Sequence, residues 1–188
     1  MEAFFNTLAE HFDLPILDWI AENIHCEFLD AVMPVITALA NAGIFWIALT
    51  VLMLVIPKHR RTGVAMSLAL IMGLIVCNLI MKPAFARIRP YDYQLAHYGK
   101  VIPLLIDAQH DFSFPSGHTM GSFEAATALA LSNWKLGIPA LILASLIAFS
   151  RLYLYVHYPT DVLFSIGMGI AFGFIGHHLA KKIPLNTR

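Results

Sequence analysis

Five stretches of the chain are rich in apolar residues and carry few charges; they lie at 34–56, 63–81, 117–134, 137–155 and 162–180. Each has roughly the 17 to 25 residues that a helix needs to cross a bilayer. The second and fifth stretches are the least interrupted, whereas Ser122 and Glu124 interrupt the third and Pro139 lies just inside the fourth. The pattern predicts an all-α fold, an integral membrane helical bundle of about five transmembrane helices.

Residues 1–30 follow a different pattern. Apolar residues recur there at helical spacing, at Ile16, Leu17, Ile20, Ile24 and Phe28. Asp18 and Glu22 fall on the opposite face, which predicts an amphipathic surface helix. Asp13 is a candidate N-cap for it, with Pro15 in its first turn. Two placements stay open for this helix: in the membrane interface, or packed on the outer end of the bundle.

The composition agrees with a membrane protein. Of the 188 residues, 59% are hydrophobic and only 13% are charged, whereas soluble domains carry a larger charged share. The sequence contains no internal repeat and no low-complexity segment. We therefore expect residues 1–188 to form a single domain.

Charged residues are distributed unevenly along the chain, although the formal net charge is zero. Residues 1–30 hold seven of the 12 acidic residues and no Lys or Arg. Seven basic residues fall together on the other side of a five-helix bundle: Lys58, Arg60, Arg61, Lys135, Lys181, Lys182 and Arg188. Because positively charged loops stay in the cytoplasm, residues 1–30 are expected to face outward from the cytoplasmic (inner) membrane.

Candidate chemistry lies at that outward end, in three short segments. In the last of them, His157 and Asp161 are four residues apart. A carboxylate this close can accept a hydrogen bond from one imidazole nitrogen, which makes the other a better nucleophile. Arg151 precedes His157 by six residues. Taken alone, the segment fits an interfacial ion pair between Arg151 and Asp161 at least as well.

The middle segment, Pro115-Ser116-Gly117-His118, stands at the start of the third apolar stretch. Ser116 fits an N-cap, and Gly117 allows close approach of a ligand to the backbone. A helix N-terminus offers unpaired amides and a partial positive charge, both of which favour a bound phosphate. His118 at that position could give a proton to a departing oxygen.

The first segment adds Lys82 and Arg89 at the outer end of the second stretch. Their spacing of seven residues is about two helical turns, so both side chains could reach a common point. Arginine grips phosphate oxygens in a bidentate way and lysine acts as a mobile point charge. Positive charge on the outer face runs against the orientation bias, and a bound phosphate accounts for it; Arg87 is a further cation without an assigned role.

Together the three segments resemble the signature of the type 2 phosphatidic acid phosphatase superfamily. The matching residues are Lys82, six residues, Arg89-Pro90; Pro115-Ser116-Gly117-His118; and Ser150-Arg151, five residues, His157, three residues, Asp161. The resemblance covers about residues 60–180, the expected catalytic core. The family includes lipid phosphate phosphatases, bacterial undecaprenyl-diphosphate phosphatases, glucose-6-phosphatase and soluble vanadium haloperoxidases.

The resemblance implies a role for each of these residues. His157 would be the nucleophile that forms a phosphohistidine, Asp161 would orient it, and His118 would be the general acid. The implied phosphate-binding residues are Lys82, Arg89, Ser116, Gly117 and Arg151. No metal or other cofactor is implied. Tyr155 stands where many relatives have glycine, which could narrow the site.

The expected activity is metal-independent dephosphorylation of a lipid phosphate or diphosphate at the outer membrane face. Among bacterial substrates we favour undecaprenyl diphosphate; the alternatives are phosphatidate, phosphatidylglycerophosphate, or transfer of the phosphoryl group to a hydroxyl acceptor by the same site. A catalytically silent lipid-phosphate binder would not need both histidines. The expected partners are the lipid substrate and the bilayer, and no nucleic acid; the oligomeric state is left open.

Overall fold

A computed structural model describes residues 2–184, so Arg188 lies outside the described residues. Within them the chain forms α1 (Glu2–Leu8), α2 (Leu14–Asn23), α3 (Glu27–Ala38), α4 (Ile44–Val55), α5 (Arg60–Gly73), α6 (Lys82–Phe85), α7 (Pro90–Tyr98), α8 (Gly117–Ser132), α9 (Trp134–Tyr153) and α10 (Pro159–Lys182). A π-helical turn (Ala9–Asp13) joins α1 to α2, and a π-helical segment (Leu74–Met81) extends α5. The predicted all-α fold is confirmed.

Helix α8 lies at the centre of the bundle and packs against α5, α9 and α10. Its contact with α10 is close, because a Cβ added at Gly173 would lie 2.5 Å from Thr127 Cβ and 2.9 Å from the Glu124 carbonyl oxygen. Small residues allow helices in a membrane to approach in this way. Being surrounded by other helices, α8 can hold Ser122 and Glu124, which are both buried, without exposing them to lipid.

The predicted first span, 34–56, is divided between two helices in the structure. Helices α3 and α4 meet at an angle of 46°. The chain turns there because Ala42 and Gly43 adopt positive φ values of 50° and 68°. By length and composition, three of the described helices could cross a membrane, and the α3–α4 pair would make a fourth. The count of five transmembrane helices stays a prediction.

The N-terminal helix packs on the end of the bundle. Its buried residues Ala9, Leu14, Leu17 and Ile20 join a cluster with tyrosines of α7 and of the segment after α9. Aromatic side chains of its opposite face, among them Phe4 and Trp19, are exposed. The helix ends at Asn23, so Phe28 belongs to α3 and not to this apolar face.

Asp13 is not the N-cap of a helix, contrary to the prediction. The helix runs continuously from α1 through the π-helical turn into α2, and Asp13 makes no capping hydrogen bond. Its side chain is fully buried and paired with Arg87 instead. Helical capping patterns are local, whereas this contact joins two distant parts of the chain.

Candidate active site

The candidate residues meet at the end of the bundle where α8 and α10 begin and α9 ends. Lys82 and Arg89 flank the end of α6, Ser116 caps α8, and Arg151 lies in the last turn of α9. His157 follows in the connection to α10, whose first turn holds Asp161. Helix starts favour anions because their amides are unpaired. The start of α8 fits this description, whereas at the start of α10 the Tyr158 and Thr160 N–H groups already donate to Asp161 and Asp13.

His157 is buried and its two ring nitrogens have different partners. Nε2 lies 3.0 Å from Arg89 Nη1. Because a guanidinium only donates, Nε2 is the acceptor, and the ring proton is left on Nδ1. Nδ1 lies 3.5 Å from Asp161 Oδ2 and 3.5 Å from Ser113 Oγ. Burial, together with the positive charges of Arg89, Arg151 and Lys82, lowers the pKa of His157 well below its usual value, so the ring is neutral at neutral pH.

Asp161 is held from two sides. Its Oδ2 accepts hydrogen bonds from Ser113 Oγ at 2.5 Å and from the Tyr158 backbone N–H at 3.1 Å. Its Oδ1 accepts from Arg87 Nη1 at 2.5 Å. The alternative pairing of Arg151 with Asp161 is not formed among the described residues, because Arg87 takes that place.

The two cations of the first segment share a carboxylate partner that the sequence did not indicate. Lys82 Nζ donates to Asp111 Oδ2 and Arg89 Nη2 donates to Asp111 Oδ1. Burial alone would raise the pKa of Asp111, but hydrogen bonds and charges from Lys82 and Arg89 outweigh it and hold the pKa below its usual value. Asp111 is thus an anion placed on the two cations expected to bind phosphate.

Lys82 and Arg89 do not meet by helical periodicity. Helix α6 ends at Phe85, and Ala86 adopts a left-handed conformation with φ of 45°. The chain therefore turns between the two cations, and the spacing of two helical turns is not what brings them together. The prediction that the Lys82 and Arg89 side chains reach a common point is correct, but the prediction that two helical turns bring them there is wrong.

Arg151 is 1% exposed and keeps unused donors. Its Nη1 donates to Thr37 Oγ1 at 2.7 Å, whereas Nε and Nη2 have no hydrogen-bond partner in the described part of the chain. Leaving buried donors of a charged group unpaired is costly. An anionic ligand would remove that cost, because two phosphate oxygens can accept hydrogen bonds from the Nε and Nη2 donors of one guanidinium.

Ser116 forms the predicted N-cap of α8, with Oγ accepting from the Thr119 backbone N–H at 3.4 Å and lying 2.9 Å from Thr119 Oγ1. Gly117, the next residue, is the first residue of α8. His118 Nε2 lies 2.9 Å from Asn41 Oδ1, in the break between α3 and α4. That break therefore carries a partner of the expected general acid.

Next to these residues a cavity of about 710 Å³ runs between α4, α5 and α8. It is lined by Lys82, Asp111, Gly117 and His118, and otherwise mainly by apolar side chains such as Trp46 and Leu70, with Ser122 and Glu124 among them. A polar site that opens into an apolar cleft suits a ligand with a charged head and a hydrocarbon tail.

Tyr155 does not narrow the site, contrary to expectation. It has a positive φ of 57°, a conformation that glycine adopts without cost and other residues rarely adopt. Its hydroxyl donates to Asp18 Oδ1 at 3.0 Å and accepts from Gln94 Nε2 at 2.8 Å. The side chain thereby holds the N-terminal helix and lies away from the cavity.

Residues 62–184 match the family model described as the PAP2 superfamily, and the chain belongs to this family. It is 32% identical over 151 residues to the undecaprenyl-diphosphatase BcrC of Bacillus subtilis, covering 80% of this chain and 75% of BcrC. It is 30% identical over 144 residues to an undecaprenyl-diphosphatase of Sulfolobus acidocaldarius, covering 74% and 66% of the two chains.

Solved structures agree with this assignment. A transmembrane PAP2-type phosphatidylglycerolphosphate phosphatase of Bacillus subtilis superposes with a TM-score of 0.70 at 26% identity, over 97% of this chain and 94% of that one. LpxE of Aquifex aeolicus superposes with a TM-score of 0.72 at 25% identity, over 87% and 93%. The protein is a membrane-embedded lipid phosphatase, a hydrolase that acts on lipid phosphates.

Asp111, Ser113 and Asn41 contact the candidate residues but were not singled out from the sequence. Asp111 and Ser113 lie in a loop where spacing carries no information, because only the fold brings Asp111 to the two cations and Ser113 to Asp161. No group of three or more His, Cys, Asp or Glu suited to a metal occurs within residues 2–184. Independence from metals stays a prediction.

Asp111→Asn is expected to strengthen inhibition by inorganic phosphate. If Lys82 and Arg89 bind phosphate as predicted, the phosphate has to replace the Asp111 carboxylate there, and a neutral amide competes less well for these cations. We expect the inhibition constant of phosphate to fall about tenfold, equivalent to about 1.4 kcal/mol. Asp107→Asn, in the same loop and exposed, is the matched control. An unchanged constant in Asp111→Asn would contradict competition between carboxylate and phosphate.

Proposed function

We propose that the protein removes a phosphate from a lipid phosphate or diphosphate through a phosphohistidine on His157, without a metal ion, and that undecaprenyl diphosphate is its substrate. The observation that carries the proposal is the state of His157. Its Nε2 lone pair is directed at Arg89, and Asp161 stands behind Nδ1. A neutral imidazole whose Nε2 lone pair is released when Arg89 donates to a bound phosphate instead is suited to attack the phosphorus atom.

The proposed reaction has two displacements. Lys82, Arg89 and Arg151, with Ser116 and the amide of Gly117, hold the phosphate oxygens. His157 Nε2 attacks phosphorus, the bond from phosphorus to the leaving oxygen breaks, and that oxygen takes a proton from His118. Water, deprotonated by His118, then attacks the phosphohistidine and releases inorganic phosphate and free His157. Phosphoryl transfer needs mainly positioning and charge stabilisation, which these cations supply.

The cavity and the relatives support a lipid with a long tail. The apolar cleft beside His118 is suited to hydrocarbon, and two relatives with 30% or more identity are undecaprenyl-diphosphatases. A diphosphate also offers a better leaving group than a simple alcohol, since the oxygen that departs belongs to a phosphate. Phosphatidate and phosphatidylglycerophosphate remain the alternative substrates.

We also propose that the active site faces away from the cytoplasm, in the cytoplasmic (inner) membrane. Basic residues gather at the end of the bundle opposite the candidate site, where Arg61 Nη1 donates to the Lys181 carbonyl oxygen at 3.2 Å. Lys58 lies in the turn before α5, Lys135 in the first turn of α9 and Lys182 at the last residue of α10. The tendency of such residues to stay in the cytoplasm supports this orientation.

Phosphate release by the purified protein in detergent should persist in EDTA. Undecaprenyl diphosphate, phosphatidate and phosphatidylglycerophosphate would be compared at equal concentration, with and without the chelator. We expect rates that change by less than about twofold with EDTA, because protein cations alone neutralise the phosphate. Orthovanadate, a mimic of five-coordinate phosphorus, should inhibit.

Complete loss of activity in EDTA, restored by a divalent ion, would contradict metal independence. Undecaprenyl diphosphate should be hydrolysed fastest, and a higher rate with either glycerolipid would overturn the proposed substrate. Phosphate release only in the presence of a hydroxyl acceptor would indicate a transferase.

A further inference from the structure

Arg87 joins two buried carboxylates that belong to opposite parts of the chain. Its Nη1 donates to Asp161 Oδ1 at 2.5 Å, and its Nη2 donates to Asp13 Oδ2 at 2.7 Å. Asp13 and Asp161 are fully buried and Arg87 is 5% exposed. One guanidinium thus bridges the N-terminal helix and the carboxylate behind His157.

The geometry around Arg87 is fixed by packing as well as by charge. Its guanidinium carbon lies 3.7 Å from the centroid of the Tyr158 ring and 4.7 Å from that of the Phe5 ring. Arginine stacks on aromatic faces in this way, which restrains the plane of its fork. The direction from which Asp161 Oδ1 receives its hydrogen bond is therefore set by residues of the N-terminal helix and of the start of α10.

Asp13 is itself anchored to the first turn of α10. Its Oδ1 accepts from the Thr160 backbone N–H at 2.9 Å, and its Oδ2 accepts from Thr160 Oγ1 at 2.8 Å. Thr160 Oγ1 in turn accepts from Arg87 Nη1 at 2.9 Å. Asp13 lies outside residues 62–184, the part of the chain that matches the family model.

We propose that Asp13 and Arg87 are positioning residues for the nucleophile, and that the N-terminal helix is in this way a part of the active site. The inference rests on the proposed function of His157. Arg87 fixes Asp161 through Oδ1, which leaves Oδ2 directed at Ser113 and His157 Nδ1. Asp13 compensates part of the positive charge of Arg87. Arg87 therefore neutralises the Asp161 carboxylate less completely, and Asp161 can still polarise the imidazole.

A purely structural role would also account for a buried ion network, because removal of one partner leaves an uncompensated charge. The two roles differ in what they change. A loss of folded protein lowers the maximal rate but leaves every inhibition constant unaltered. Misplacement of His157 should also weaken inhibition by vanadate, because the proposed nucleophile Nε2 would be a ligand of vanadate in its trigonal-bipyramidal form. Inhibition by inorganic phosphate should not weaken, because in this proposal the cations alone hold phosphate.

Asp13→Asn keeps the side-chain volume and removes the charge. We expect kcat to fall about tenfold, the scale on which hydrogen-bond partners behind a reacting group act, with KM changed less than about twofold. The inhibition constant of vanadate should rise about tenfold, in step with kcat, whereas that of phosphate should change less than about twofold. Glu22→Gln, an exposed acid of the same helix, is the matched control and should behave as the wild type.

Arg87→Lys tests the other partner and serves if Asp13→Asn does not fold. Lysine keeps the charge but cannot donate to both carboxylates in the way that a guanidinium does. We therefore expect the same result as for Asp13→Asn: a higher inhibition constant for vanadate and a nearly unchanged one for phosphate. The double variant Asp13→Asn/Arg87→Lys should lower kcat no further than the more impaired single variant, since both residues act through Asp161. Equal vanadate constants in wild type, Asp13→Asn and Arg87→Lys would overturn the inference. A wild type without phosphate release would instead contradict the proposed function.

Discussion

Replacement of His157 by alanine is expected to reduce phosphate release from the lipid by roughly 10⁴-fold or more, the scale on which removal of an enzyme nucleophile acts. No other described side chain combines a lone pair directed at Arg89 with a carboxylate behind it. Water could attack directly in the variant, but without the covalent route that divides the reaction into two easier steps. The initial rate of phosphate release in detergent, with substrate above KM, is the measurement.

The matched control for this prediction is His178→Ala. His178 is exposed near the end of α10 that lies opposite the site, where Nδ1 contacts the Phe174 carbonyl oxygen at 3.0 Å. Its removal should leave the rate within about twofold, because surface changes away from a site have small effects. A His157→Ala variant that retained a tenth of the wild-type rate would contradict the assignment of the nucleophile.

Replacement of His118 by alanine is expected to affect substrates unequally. The departing diacylglycerol oxygen of phosphatidate needs a proton, whereas undecaprenyl phosphate leaves readily as an anion. General acids contribute about 10²- to 10⁴-fold, so we expect a loss of about 10³-fold with phosphatidate and of about tenfold with undecaprenyl diphosphate. The ratio of the two rates is the measurement, and it is independent of the amount of folded protein.

Equal losses on both substrates would assign His118 to binding or packing. The contact of His118 Nε2 with Asn41 Oδ1 supplies a second comparison. Because Asn41 touches the ring and holds no proton for transfer, Asn41→Ala should lower both rates by similar and smaller factors.

The sequence indicated the fold because uninterrupted apolar runs reflect a local property of helices in lipid. The fifth predicted span, 162–180, lies within α10, and the fourth differs from α9 by a few residues. The break between α3 and α4 was missed, although Gly43 lies in it. A single glycine in an apolar run is common in membrane helices, and the positive φ of Ala42 has no pattern that would mark it.

Motifs in the sequence indicated part of the candidate site, and the geometry explains why the rest could not be predicted. Ser116 is the N-cap that its local pattern predicted. Asp13 looked like a cap on the same rules, yet its partner Arg87 lies 74 residues away. Such a contact depends on how the N-terminal helix packs over α7 and α10, which hydrophobic spacing does not specify. The same holds for Asp111, which reaches Lys82 and Arg89 from a loop without regular structure.

The structure therefore brings five of the candidate residues together at one end of the bundle: Lys82, Arg89, Arg151, His118 and His157. Their roles in catalysis stay predictions. The pairing of Arg87 is informative in this respect. The sequence assigns no role to Arg87, whereas in the structure its side chain contacts Asp161 and does not line the cavity. This is why we infer that it positions the nucleophile and does not bind phosphate.

Covalent labelling of the protein tests the central claim most directly. Substrate carrying radioactive phosphorus in its terminal phosphate would be mixed with wild type and with His157→Ala, and quenched in alkali after milliseconds. We expect an alkali-stable, acid-labile phosphoryl label on the wild type that precedes free phosphate and is absent from the variant. Release of free phosphate at the full rate with no label on the wild type, or a label that persists in His157→Ala, would contradict a phosphohistidine at His157.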